Sequence, residues 1–177
     1  MDETNIYIAV TGNGPARQHI AGQFIVEIVR NEITFTYPTI DKDTFIYAEA
    51  QTPARLTAML LTNAIIVLNK LILYNQMPIP ESVSVFIDKP AADPFIKKWY
   101  ERWYEDNYIR KDGKALEEAH VWEQLNGVIR NSSTEYRYYT DSHSYSNIMH
   151  GQARKYLADM LENKNNKSPV NNTVEGS

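Results

Sequence analysis

Asp88 closes a short apolar run, Ser-Val-Ser-Val-Phe-Ile-Asp over residues 82–88. In α/β sheets ligands and catalytic groups collect at the carboxyl ends of strands, so this carboxylate is a candidate catalytic group and metal ligand. His143 and His150 add imidazoles of the kind that bind zinc or manganese; equally, they are polar positions of a surface loop and a first helical turn. Trp99 and Trp103, one helical turn apart, offer rings on which a base or sugar can stack, or the stripe of a packed core. Arg110, Lys111 and Lys114 form a small basic cluster interleaved with Glu105, Asp106 and Asp112, which suits a solvated turn as well as a nucleic-acid contact. The turn Gly12-Asn13-Gly14 is too brief for a phosphate-cradling loop and lacks its lysine. There is no Ser-His-Asp pattern and no cysteine, which excludes disulfides, thiolate metal sites and cysteine nucleophiles.

These groups are positioned by a chain that opens with β signals. Ile6–Val10, Gly22–Val29, Ile33–Tyr37 and Thr44–Ala48 are rich in β-branched and aromatic residues, and Arg30-Asn31-Glu32 reads as a hairpin turn between the second and third. Thr52-Pro53 places a hydroxyl at a helix cap and a proline at the first helical position. The following segment, to about Tyr74, is apolar around most of its circumference and reads as a buried central helix. Pro78 and Pro80 end it, and the strand 82–88 follows. Further helices are predicted over 94–106 and 115–130, a short aromatic strand over 135–140, and a last helix over 146–162.

Length and composition bound the rest. At 177 residues the chain makes one domain of ordinary size. The longest apolar runs are interrupted short of the roughly 20 residues of a membrane span, and the acidic start Met-Asp-Glu-Thr-Asn lacks the form of a secretory signal. A cytoplasmic protein without membrane attachment is therefore expected. The formal net charge of -4 argues against a protein that coats nucleic acid through a broad basic surface, while leaving room for a local basic groove.

Taken in order, these elements resemble the ribonuclease H family over residues 5–162. The resemblance is carried by Thr11-Gly12-Asn13-Gly14-Pro15 after the first strand, Thr52-Pro53-Ala54-Arg55-Leu56-Thr57-Ala58-Met59, and the strand end Phe86-Ile87-Asp88. It continues through the Trp99/Trp103 helix, Ala115-Leu116 to Val121-Trp122-Glu123-Gln124-Leu125, and His143, Asn147 and Ala153-Arg154. It implies an α/β, ribonuclease H-like domain over 1–163: a mixed five-stranded sheet, antiparallel meander then parallel strands, with helices on both faces. Residues 164–177 are then a polar tail expected to be disordered.

The same resemblance implies a cluster of four carboxylates holding two divalent cations. Here the expected Asp at the end of the first strand falls on Thr11, the Glu of the central helix on Thr57 and the last Asp on His150, so that only Asp88 lands on a carboxylate position. His143 stands where the family's mobile-loop histidine would. Thr11, Asn13, Arg55, Thr57, Trp99, Trp103, Lys111 and His150 become candidate substrate contacts. The expectation is a catalytically degenerate domain kept to bind RNA–DNA hybrid or other duplex nucleic acid, with no cofactor. An active divergent nuclease would need Mg or Mn, with Glu49 or Asp141 rebuilding the site; an adaptor or inhibitor would have a protein partner instead.

Overall fold

The computed structural model describes residues 2–13, 18–37 and 44–175. The chain order is β1 (Glu3–Asn13), β2 (His19–Arg30), β3 (Ile33–Tyr37), β4 (Phe45–Glu49), α1 (Pro53–Tyr74) and β5 (Ser82–Phe86). A 3-10 turn (Lys89–Ala91) follows, then α2 (Asp93–Ile96), α3 (Trp99–Glu105), α4 (Ala119–Arg130), β6 (Glu135–Tyr139) and α5 (Ser146–Glu175). The Gly14-Pro15 part of the first turn lies outside the described residues.

The sheet has six strands in five lateral positions. β2 is long enough to pair with β4 through His19–Gln23 and with β3 through Val26–Arg30, so two short strands share one edge where five strands in all are expected. The order across the sheet is β3-β2-β1-β5-β6. β1, β2 and β3 are antiparallel neighbours, whereas β5 is parallel to both β1 and β6. The β2–β3 hairpin turns on Asn31 and Glu32, both at positive φ (51° and 68°), the conformation that matches the twist of a tight hairpin.

α1 packs on one face. Thr52 caps it, its side chain accepting from the Arg55 backbone N–H at 3.2 Å, and Pro53 starts it. Leu56, Leu60, Leu61, Ile65 and Leu68 are buried against Ile6, Ile8, Phe24, Val26, Val83 and Val85. By length and composition α1 is apolar enough to cross a membrane, against the expectation from its interrupted runs; here ten of its residues are buried in the core. α5 covers part of the opposite face, where Met149 packs with Tyr7, Ala9 and Ile25. Its backbone is helical through Glu175, including positions where composition predicts disorder; extending a formed helix adds a hydrogen bond for each residue fixed, without a new nucleus.

Two predicted helices are shorter than their patterns. The segment 94–106 breaks at Lys98, which is left-handed at φ 56°. In one unbroken helix Phe95 and Tyr100 would point about 140° apart; the break lets both reach Tyr138, at 5.5 and 5.9 Å between ring centroids. α4 begins at Ala119, because Ala115 is taken up in a bridge to Ile109 and the Leu116 N–H donates to the Tyr108 carbonyl.

α1 crosses the sheet at Gly22, where an added Cβ would lie 2.5 Å from the Ala9 carbonyl oxygen and 2.8 Å from Leu60 Cδ1. Backbone cannot yield as a side chain can, so Gly22→Ala is expected to destabilise the fold by about 2–3 kcal/mol, measured as a lower urea midpoint at unchanged slope.

Candidate functional site

Parallel β1, β5 and β6 end at the same border of the sheet, and this alone brings distant residues together. Val10, Thr11, Gly12, Asp88, Lys89, Thr140, Asp141, Ser142, Ser146, Asn147 and His150 line one cleft of about 620 Å³. Thr11, Asp88 and His150, expected as site residues, are thus neighbours. Asn13 ends β1, and its side chain lies outside the described residues.

Asp88 Oδ2 accepts from the Val10 backbone N–H at 2.9 Å and lies 2.9 Å from His150 Nε2; the two side chains are only 24% and 29% exposed. The other ring nitrogen, Nδ1, lies 2.7 Å from the Ser146 carbonyl oxygen. The carboxylate only accepts, so in this contact the ring donates through Nε2, and the imidazole is held between two oxygens.

Thr57 is 1% exposed and its hydroxyl has no hydrogen-bond partner. It does not line the cleft, although Pro53, one helical turn before it, does. Arg55 bonds Glu118 at 2.5 Å and lies 3.6 Å from Glu117, which neutralises it. Trp103 packs edge-on against Trp122 at 4.8 Å and adjoins the core, as a residue of a packing stripe does. Trp99 is half-buried, with the Lys97 ammonium 5.4 Å above its ring. Lys111 is exposed on the turn, and Arg110 beside it is paired with Asp112 at 2.7 Å. Glu49 is held by Lys164 and by the Tyr47 hydroxyl, whereas Asp141 lines the cleft with Asp88. Among the described residues no group of three His, Cys, Asp or Glu side chains is arranged to hold a metal ion.

His143 does not bond Asp88. Its ring packs on Tyr7 at 4.4 Å and Phe86 at 5.6 Å, and Nδ1 accepts from the Tyr145 N–H. Burial lowers its pKa from the ordinary value; Asp88 opposes this and His150 adds to it.

Sequence reasoning missed Glu27. Its Oε1 accepts from Asn5 Nδ2 at 2.9 Å and from the Tyr7 hydroxyl at 3.0 Å, and Oε2 accepts from the Tyr145 hydroxyl at 2.6 Å. Burial, reinforced by this carboxylate, raises the Tyr7 hydroxyl's pKa far above its usual range and pushes that of Tyr145 up to about 12. The signal available was the strand alternation that sets Asn5 and Glu27 on the face away from the aliphatic core.

No protein-family model matches this chain, nor does any curated protein. Solved structures do. LC9-RNase H1, a type 1 RNase H with the type 2 active-site motif, superposes with a TM-score of 0.57 at 14% identity, over 90% of this chain and 74% of that one. The fold is ribonuclease H-like. The PFV RNase H domain gives a TM-score of 0.53 at 12% identity over 89% of this chain and 93% of that one. Foamy viral protease-reverse transcriptase matches at 10% identity in two complexes. With dsDNA the TM-score is 0.54 over 88% of this chain and 94% of that one; with RNA/DNA hybrid it is 0.55 over 87% and 20%. Against the ribonuclease H-like frame the expected mixed sheet with helices on both faces is present.

A double-mutant cycle of Asp88→Ala and His150→Ala, read by urea unfolding, is expected to give a coupling of about 1–3 kcal/mol, since each change leaves the other group without its side-chain partner. For His143, a folded-state pKa below the unfolded one means that protons bind the unfolded chain more tightly. Its contribution is complete above about pH 6.5 and is lost as pH falls below that toward the lowered folded value. Unfolding measured against pH should show this slope, and His143→Gln should flatten it.

Proposed function

We propose that this chain is a ribonuclease H-like domain that binds duplex nucleic acid, RNA–DNA hybrid included, without cleaving it. The observation that carries the reading is the pairing of Asp88 with His150 and the Val10 N–H. Hydrolysis by two hard cations needs several anionic oxygens to hold them. At the positions where the resemblance calls for carboxylates stand Thr11, Thr57 and His150, and the one remaining carboxylate is already compensated from within the chain. The donor set does not fit a pair of divalent cations.

The same substitutions suit a phosphate backbone. A tight group of carboxylates repels phosphate unless cations lie between them, whereas Thr11, Thr140, Ser142, Ser146 and Asn147 are neutral hydrogen-bonding groups in the cleft, with Lys89 as a cation. Contacts of this kind position a duplex without reading its sequence. The nucleic-acid complexes of the foamy viral neighbour support the choice of partner class. An active nuclease is the second reading, and its support is Asp141, a second carboxylate in the cleft.

Fluorescence anisotropy with a labelled hybrid in EDTA is expected to show binding that weakens as salt rises. Lys89→Glu should weaken binding evenly across sequences and lower the log–log salt slope by about 1. Incubation with Mg²⁺ or Mn²⁺ should leave the hybrid intact. Cleavage that disappears in Asp88→Asn would establish the nuclease instead, and a failure to bind any duplex would remove nucleic acid as the partner.

A further inference from the structure

A second cleft, of about 770 Å³, lies on the sheet face that α5 leaves open. Its floor is set by register. Tyr7 pairs laterally with Phe86, and Phe86 with Tyr139, so three rings cross β1, β5 and β6 in one row. They are stacked at 5.0 Å and 18° between the first two and at 5.4 Å and 29° between the last two.

The walls are anionic. Asp2, Glu3, Glu27, Glu81 and Asp141 line the cleft, with Arg30 as the cation among its lining residues. Arg30 is already engaged, donating to the Glu3 and Val29 carbonyls and to Thr4 Oγ1. Arg137, nearby on β6, is paired with Glu135. Glu27 is partly buried and receives three neutral donors; among the described residues no cation pairs with it. Tyr7 and Tyr145 both register its charge in their raised pKa values.

Asn5 points independently to what is missing. It is 8% exposed and lines the cleft. Its amide nitrogen donates to Glu27, and a carboxylate accepts only from the NH₂ end, which fixes the orientation of the planar amide. The carbonyl oxygen at the other end has no partner within the chain and opens on the cleft. An acceptor open to the cleft, beside a partly buried anion without a cation, suits one group that is both donor and cation.

We propose that this cleft binds an arginine-bearing segment of a partner protein. A planar guanidinium carries enough donors to serve an amide oxygen and a carboxylate at once, which an ammonium does less well, and Tyr139, at the end of the stacked row, offers an exposed ring to a second one. The cleft follows the five residues of β5, about 16 Å at the strand rise. Carboxylates stand at both of its ends, Glu3 and Glu81 at one and Asp141 at the other, so the occupant is an extended segment rather than one small cation. Phosphate is repelled here, which separates this surface from the cleft proposed for nucleic acid.

The test is calorimetric titration of the full chain with a short blocked peptide alternating alanine and arginine. The arginine peptide is expected to bind, its lysine counterpart about fivefold more weakly, and the glutamate counterpart not at all. Glu27→Gln should weaken binding about tenfold. Tyr139→Ala, on the exposed rim, should weaken it about fivefold and keeps the test valid if the Glu27 variant fails to fold. Neither variant should change binding of the hybrid duplex. No binding of the arginine peptide, equal binding by both variants and the parent chain, or equal binding of the glutamate peptide would overturn the proposal. So would argininamide binding as tightly as the peptide, which would mark a small-molecule site.

Discussion

A carboxylate that is three-quarters buried at the end of a strand must be compensated, because withdrawing a charge from water costs far more than packing returns. Asp88 meets that requirement through the Val10 N–H and His150, and both bonds are long-range in the chain. One ties the end of β5 to β1, the other ties it to the first turns of α5. The Ser146 carbonyl, accepting from the other side of the His150 ring, fixes that helix in rotation as well as position. Met149, one residue before His150, is thereby set against Tyr7, Ala9 and Ile25. The placement of α5 decides which part of the sheet face is covered and which part, over β5 and β6, stays open.

Local signals carried much of this. The capped start of α1, its apolar circumference, the alternating strands and the β2–β3 turn each depend on residues a few positions apart. The break at Lys98 and the late start of α4 were not legible, because they follow from aromatic contacts with Tyr138 and from the bridge of Ala115 to Ile109. Asp88 was legible as a strand-ending carboxylate. The role of His150 was only half so: an imidazole near Asp88 was foreseen as a fellow metal ligand, and the structure makes it the carboxylate's hydrogen-bond partner. Glu27 was invisible because Asn5, Tyr7 and Tyr145, separated from it by 22, 20 and 118 residues, meet it only once sheet register and the α5 approach are known.

The two clefts meet at Asp141, which lines both, yet their electrostatics are opposed. On one side a carboxylate is hydrogen-bonded within the chain by a backbone N–H and an imidazole, and its neighbours are hydroxyls, an amide and a lysine. On the other a carboxylate is held by neutral donors alone among further acids. Net charge is thus a poor guide to partners here: the value of -4 combines a cleft of hydroxyls, an amide and a lysine with one walled by carboxylates. The ribonuclease H-like fold fixes neither property, since both depend on side chains that the same backbone can exchange.

Thr57 bears on how such a site can come to be. A buried hydroxyl without a partner, as at Thr57, costs on the order of 1–3 kcal/mol. At the same position a carboxylate without cations would cost more, since ionised oxygens crowded together cannot all remain charged away from water. If cations no longer occupy the cleft, each carboxylate is a penalty, to be removed or paired. On the proposed reading, Thr11 and Thr57 correspond to removal, and His150 to pairing. Asp88 is the position where removal would also break something else, because its oxygen receives the Val10 N–H that binds β1 to the end of β5. On the reading proposed here, a carboxylate suited to metal ligation persists because the architecture of the sheet border has come to depend on it.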